Sequence, residues 1–399
     1  MCFDLQGMNR RTELIIAFDA LPAFPGKSGA VGAFRKWMQI LPTLREDIEV
    51  ILFVFPRQAE YYEKFLHDAI KDRVRFVLVN LPSNVFVRVV AQNTIVPFVC
   101  WQMKVDVHLS MNPEPWFRLS RTLEVFKIAD LQYLESPNEF GFFKYQYRKF
   151  AGRRKVHKSD LIIANSDATK NRIDKYFNID PRKIAIIHES YDHELFTTEQ
   201  KEKSDGDILV KYGVRRPFLL YVSSFRPYKN HYDLLQAYKL LPHRLEHKLV
   251  LVGNDVHGFK LTVVEMIENL GISDRVIMLD YIHHWELASF YRQAAIFIYP
   301  SKYETFGIPP LEAMACGCPV ITSNYSCIPE IVENGAEIVD TANHGLFAEK
   351  MHSLLIDKKF RDDLIKRGGI QCKKYSWANN SKETLNEIMS RLLTKRKNG

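Results

Sequence analysis

Pro300-Ser301-Lys302-Tyr303-Glu304-Thr305-Phe306-Gly307-Ile308-Pro309-Pro310-Leu311-Glu312-Ala313-Met314-Ala315-Cys316-Gly317-Cys318-Pro319-Val320-Ile321-Thr322 is the stretch on which the reading of this chain turns. The apolar run Ala295–Tyr299 before it reads as a buried parallel strand. A turn containing Gly307 follows, and Pro309-Pro310 supplies helix-start chemistry, because proline fits the first helical turn. Leu311 to Cys316 predicts a short helix, Gly317 its stop, and Pro319 to Thr322 the next strand. Ligands of open α/β sheets bind where a strand's carboxyl end meets a helix amino end. The free N–H groups there suit phosphate. Glu304 and Glu312 bracket the loop with seven residues between them. The stretch is therefore suited to a phosphorylated, hydroxyl-rich ligand.

The same alternation extends outward on both sides. In the second half, Phe218–Ser223, Lys248–Val252, Arg275–Leu279, Ile296–Tyr299, Pro319–Thr322 and Glu337–Val339 read as strands separated by helical segments. In the first half, Glu13–Phe18, Glu49–Val54, Arg73–Val79, Val105–Leu109, Glu124–Ile128 and Asp160–Ala164 do the same. Such alternation predicts parallel sheets covered by helices on both faces. At 399 residues the chain exceeds what one core usually fills. The expected division is an N-terminal domain over 1–195, a linker over 196–212, a second domain over 213–375, and a terminal helical segment over 376–399 that returns to the first domain. Lys395 to Gly399 is expected to fray. The linker is polar and without periodicity; its Asp205-Gly206-Asp207 resembles a metal-binding acid pair but lacks a strand-end setting.

Three further stretches bear on chemistry. Phe225-Arg226-Pro227-Tyr228-Lys229-Asn230-His231 follows the first strand of the second half. Cations at a helix start run against the helix dipole, which favours an anionic ligand there; Arg226 and Lys229 are suited to a diphosphate. Pro25-Gly26-Lys27-Ser28-Gly29-Ala30-Val31-Gly32 opens a helix behind the first strand. It matches neither the dinucleotide fingerprint nor the Walker loop, so it is either an anion-binding turn or a packing turn. From Phe140 to Lys158, aromatics interleave with cations. That pattern fits an interfacial helix on anionic lipid, or a surface helix whose aromatics face the core.

The composition, 46% hydrophobic and 26% charged, is that of an ordinary soluble globular protein. No apolar run approaches the roughly 18–20 residues of a membrane span. The amino terminus shows no secretory or lipoprotein leader. Six scattered cysteines fit a reducing compartment. Cys316, Cys318 and Cys327 have no zinc spacing. A net charge of +8 favours an anionic partner, but no nucleic-acid-binding module is present.

Phe218 to Trp377 closely resembles the donor-binding domain of glycosyltransferase family 4, retaining enzymes of GT-B architecture. The resemblance runs through Leu249-Val250-Leu251-Val252-Gly253, Asp274-Arg275-Val276-Ile277 and Leu287 to Arg292. It then includes the opening stretch with its Glu-x7-Glu motif. The N-terminal half resembles the family more loosely, through the glycine loop, Asp130-Leu131 and Ser159 to Ala168. The fold this implies is α/β, two Rossmann-like domains facing across a cleft.

The resemblance implies roles for particular residues. Glu304 would touch the donor sugar and Glu312 the nucleotide ribose. The Phe306, Gly307 and Ile308 amides would face the sugar, the Leu311 turn the diphosphate, and Ile282 the base. Arg226 and Lys229 would neutralise the departing diphosphate without a metal, and Gly29 and Gly32 would approach it from the N-terminal domain. No cofactor is implied, only a GDP- or UDP-hexose donor and a glycan or lipid-linked acceptor. The Asp-Leu and Lys-Asn contexts are similar to polysaccharide mannosyltransferases. The expected place is the cytoplasm, peripheral at the inner face of the cytoplasmic membrane.

The chain departs from the family at identifiable points. Ala129-Asp130-Leu131 stands where many relatives have His-Asp-Leu, and His108, at another strand end, is a candidate substitute for that catalytic histidine. Pro227-Tyr228-Lys229-Asn230 replaces Pro-Arg-Lys-Asn, and Glu189-Ser190-Tyr191-Asp192 replaces Asn-Gly-Val-Asp. A degenerate scaffold that binds nucleotide-sugar without turnover, and a GT-B nucleotide-sugar epimerase, are the competing readings.

Overall fold

Strands whose residues are apolar throughout, rather than alternating, belong between two helical layers. Leu14–Asp19 (β1) and Ile48–Val54 (β2) are buried along their whole length. A computed structural model of the protein describes residues 14–23, 30–116, 121–135, 137, 141–199, 205–243, 245–255 and 258–398. It divides into two units, 1–188 with 377–399, and 189–376.

The first unit continues with Val74–Leu78 (β3), Val107–Ser110 (β4), Leu123–Lys127 (β5), Leu161–Ala164 (β6) and Ile184–Ile186 (β7). All are parallel, in the order β3-β2-β1-β4-β5-β6-β7. The register sorts the two faces. Ile16 pairs with Val107 and Val107 with Leu123, and this face packs against Phe34 and Trp37 of helix Ala30–Leu44 and Ile388 of helix Trp377–Asn398. Ala17 pairs with His108 and His108 with Glu124, so all three point the other way. Over that second face lie helix Val85–Gln102, through Ala91, Val96 and Val99, and helix Phe142–Lys158, through Val156.

The second unit comprises Phe218–Val222 (β8), Lys248–Val252 (β9), Val276–Leu279 (β10), Ile296–Tyr299 (β11), Val320–Ser323 (β12) and Glu337–Val339 (β13). Its order, β10-β9-β8-β11-β12-β13, is again wholly parallel. In both sheets the order reverses beside the unit's first strand, at β1/β4 and β8/β11, which makes those strands' carboxyl ends the switch points where such sheets hold ligands. Gly253, just after β9, is required by close approach to the carboxyl end of β8. A Cβ there would lie 1.7 Å from the Ser223 carbonyl oxygen.

Several expectations are corrected by the structure. β7, three residues at the sheet edge, carries no periodicity and was not anticipated. Residues 205–211, assigned to a linker, form helix Asp205–Lys211 in the second unit. Its Asp205 is not a metal-type acid: Arg292 donates from Nε to Oδ2 and from Nη2 to Oδ1, both at 2.8 Å. The terminal helix is Trp377–Asn398, and Lys395 Nζ in it pairs with Asp160 Oδ2 at 3.0 Å. The segment Pro25–Gly29, residue Phe140 and residues 200–204 lie outside the described residues.

Candidate functional site

At the second sheet's switch point, the loops after β8 and β11 are fastened together by backbone chemistry. Pro227–Lys229 forms one 3₁₀ turn, closed by Asn230 in the left-handed region at φ 61°. Asn230 Nδ2 then donates to the Pro300 carbonyl at 3.0 Å and to Thr341 Oγ1 at 3.2 Å. The Lys302 amide donates to the Tyr228 carbonyl at 2.9 Å, and Tyr221 OH donates to the Lys229 carbonyl at 2.5 Å. The turn carrying Arg226 and Lys229 is thus fixed against the loop carrying Glu304.

Lys229 Nζ donates to Glu304 Oε1 at 2.5 Å, and Tyr299 OH donates to the same oxygen at 2.6 Å. Ser326 Oγ accepts from the Glu304 amide at 3.1 Å and donates to its carbonyl at 2.6 Å. Both side chains of the ion pair keep 13% of their surface exposed, enough for a ligand to reach them. Beneath them His231 is buried, its ring 5.1 Å from that of Phe225. Burial, and then the Lys229 charge, pulls its pKa down to about 3, so it is neutral near pH 7. Arg226 is half-buried, its guanidinium 6.0 Å from the Tyr228 ring centre.

Gly307 caps helix Ile308–Ala315 at φ 87°, and a Cβ there would come within 2.6 Å of Ile328 Cδ1. One turn on, Glu312 is buried and accepts a hydrogen bond from Tyr291 OH at 3.0 Å. Burial, with a contribution from Asp192, raises its pKa to about 7 against the Tyr291 hydrogen bond. The two glutamates therefore have separate partners. Of the other expected site residues, Phe306 is buried with its ring 5.5 Å from Tyr375, Leu311 and Ile282 are buried, and Ile308 is half-buried. Tyr299, Tyr291, Ser326 and Asn230 were not foreseen as site residues. Only Asn230, beside Lys229 in the quoted loop, carried a sequence signal, since asparagine tolerates the left-handed region.

The first unit contributes differently. Gly32 lies in the first turn of helix Ala30–Leu44, and Gly29 lies outside the described residues. His108 is fully buried, with Nδ1 3.1 Å from Glu124 Oε2, and Lys155 Nζ donates to that oxygen at 2.9 Å. Such burial is incompatible with the expected role of His108 at a reacting sugar. Its place on the sheet face under the helices makes it a structural group. Among the described residues, no group of three or more His, Cys, Asp or Glu is placed to hold a metal ion.

Two parallel sheets of this strand order, with the second switch point so furnished, define the fold of the GT-B glycosyltransferases. The structure is similar to that of Anabaena Alr3699/HepE in complex with UDP and glucose, with a TM-score of 0.74 and 18% identity over 95% of this chain and 100% of that one. Residues 210–370 match the family described as Glycosyl transferases group 1, and this segment contains β8, β11, both glutamates and the cationic turn. The chain is 28% identical to the Escherichia coli O-antigen chain mannosyltransferase B over 67% of this chain and 70% of that protein. It is 26% identical to the Escherichia coli serotype-specific mannosyltransferase WbdA over 62% of this chain, which spans only 30% of that longer protein.

Proposed function

We propose that the protein is a retaining glycosyltransferase that moves a hexose, mannose before others, from a nucleoside-diphosphate sugar to a glycan or lipid-linked acceptor in surface-polysaccharide assembly. The observation that carries the reading is the Lys229–Glu304 pair at the β8/β11 switch point, followed in the same strand–loop–helix segment by buried Glu312, within the stretch that matches group 1 transferases. The names of the relatives, O-antigen and serotype-specific mannosyltransferases, support the sugar and the setting.

In this reading an acceptor hydroxyl attacks the anomeric carbon as its bond to the leaving phosphate oxygen breaks. The hydroxyl proton passes to that phosphate, and attack on the face the phosphate leaves retains configuration. Charge grows on the diphosphate, so fixed cations are the main catalytic device. Lys229 and Arg226 supply them, with amides at the start of helix Ile308–Ala315. Glu304 holds sugar hydroxyls while restraining the Lys229 ammonium, and Glu312 accepts from the ribose.

The decisive measurement is nucleoside diphosphate release from a panel of GDP- and UDP-sugars, with and without lipid-linked acceptor and with EDTA present. Turnover that needs a hexose donor and survives EDTA is expected. Lys229→Ala is expected to lower turnover by roughly 10²–10³, the scale for losing one preorganised charge-stabilising group. Donor binding without release from any sugar would favour the non-catalytic scaffold, a reading that Ala129 and the burial of His108 keep in view.

A further inference from the structure

The first unit carries an apolar surface that the transferase reading does not use. Helix Val85–Gln102 has a single charged residue, Arg88, and no acidic one. Its buried side takes Ala91, Val96 and Val99 to the sheet. Its outer side shows Phe86 at 78% exposure, Val90 at 44%, Phe98 at 53% and Trp101 at 73%. Positions 86, 90, 94, 98 and 101 recur at helical spacing, so these residues form one stripe along the helix, apolar except for exposed Thr94 at its middle. A largely apolar stripe of about four turns facing solvent is unusual for a folded chain.

Helix Phe142–Lys158 presents the second part. Tyr145 packs against the core, but its phenylalanines do not: Phe143 is 87% exposed and Phe150 60%. Lys144, Lys149, Arg153, Arg154 and Lys158 are exposed on the same helix, which has no acidic residue. The two helices cover the same face of one sheet, as the register Ala17–His108–Glu124 requires. Residue Trp116 joins them. Its amide donates to Asn93 Oδ1 at 2.8 Å, its carbonyl accepts from Arg154 Nε at 3.1 Å, and its ring lies 6.2 Å from Tyr147. Outward faces of helices that share a sheet face look the same way, so stripe and cations form one layer.

We propose that this layer is a docking surface for an anionic phospholipid bilayer, with the stripe of helix Val85–Gln102 and the aromatics of Phe142–Lys158 in the headgroup region and the exposed cations against lipid phosphates. Charge decides against a second copy of this chain, because apposing two such layers would place cation against cation. The chemistry is that of a helix lying in the interface plane, aromatic on one side and basic beside it. No described helix is long and apolar enough to cross a membrane, which matches lying on the bilayer rather than spanning it.

Flotation of the full chain with vesicles tests this, without donor or acceptor, so it succeeds or fails apart from the transferase reading. Vesicles of phosphatidylcholine with 30–40% phosphatidylglycerol (roughly the charge density of an anionic leaflet) should bind the protein in a salt-sensitive way, and pure phosphatidylcholine should not. Lys149→Glu with Arg153→Glu should lower the partition coefficient by roughly thirtyfold or more, from about a factor of five per lost cation. Phe86→Ser with Trp101→Ser should lower binding at unchanged charge, and brominated lipid should quench Trp101 fluorescence in the parent but not in Trp101→Phe relative to its other tryptophans. Circular dichroism of each variant confirms folding, since all four positions are exposed. Binding indifferent to lipid charge, binding unchanged by both double variants, or concentration-dependent dimerisation abolished by Phe86→Ser with Trp101→Ser would each overturn the proposal.

Discussion

Glu312 is a site carboxylate whose acidity is set by its surroundings. Its carboxyl is buried, has Tyr291 OH at 3.0 Å, and has a pKa near 7 against 4.5 for an ordinary glutamate. A folded-state pKa above the unfolded one means the folded protein prefers the protonated acid. The resulting stabilisation is fully present below about pH 4.5 and is lost as pH rises through about 7. Its size is on the order of 3 kcal/mol. Glu312→Gln mimics the protonated acid and has nothing to titrate. The melting temperature of Glu312→Gln relative to the parent is therefore expected to rise from pH 5 to pH 8. Parallel pH curves for the two proteins would show that the carboxyl does not titrate in this range. The same substitution should weaken nucleotide binding more at pH 8 than at pH 6, if the ribose is held by the ionised form.

At the scale of elements, the buried group of His108 on β4, Glu124 on β5 and Lys155 on helix Phe142–Lys158 ties that helix to the sheet. Burial alone would raise the Glu124 pKa, but Lys155 and His108 outweigh it and hold the carboxyl below its usual range. Glu124 thus adds stability above its unfolded pKa of 4.5 that is lost only at strongly acid pH. Removing one member leaves an uncompensated charge in the interior, a loss of about 3–5 kcal/mol. Lys155→Met should lower stability by that amount in urea denaturation, and adding Glu124→Leu should restore much of it. Additive losses in the double variant would mean that the two groups do not interact. This network was not legible in the chain, because its members lie 16 and 31 residues from Glu124 and no local pattern joins them. The Glu304 loop was legible for the opposite reason. Strand, glycine turn, prolines and helix follow one another within a few residues, so local conformational rules state the whole motif. Partners such as Tyr291, 21 residues from Glu312, were not. The aromatics of Phe142–Lys158 show a further limit: composition identified an amphipathic helix but not which side was buried.

At the scale of the whole molecule, the chain forms its first unit from both of its ends. The strand alternation of each half made two sheets readable, yet the structural role of the last helix depends on contacts 192 and 343 residues away. Trp37 Nε1 donates to Asn380 Oδ1 at 2.8 Å, and Asn380 Nδ2 donates to the His188 carbonyl at 2.7 Å. Leu385, Ile388 and Leu392 lie in the same core as Ile16, Phe34 and Val107. Burial of three such aliphatic side chains contributes about 4–9 kcal/mol, comparable to the 5–15 kcal/mol that holds a typical domain. The second unit is one continuous segment, 189–376, with its own sheet and the whole Glu304–Glu312 site. Ending the chain at residue 376 should therefore unfold the first unit and spare the second. Limited proteolysis of the truncated protein is expected to leave a resistant fragment near 189–376 that still binds nucleoside diphosphate, with loss of the near-ultraviolet signal of Trp37. A truncated chain that melts as the parent does would show that the helix is dispensable. Destruction of both units together would show that the second depends on the first, and that the Glu304–Glu312 site cannot be studied in isolation.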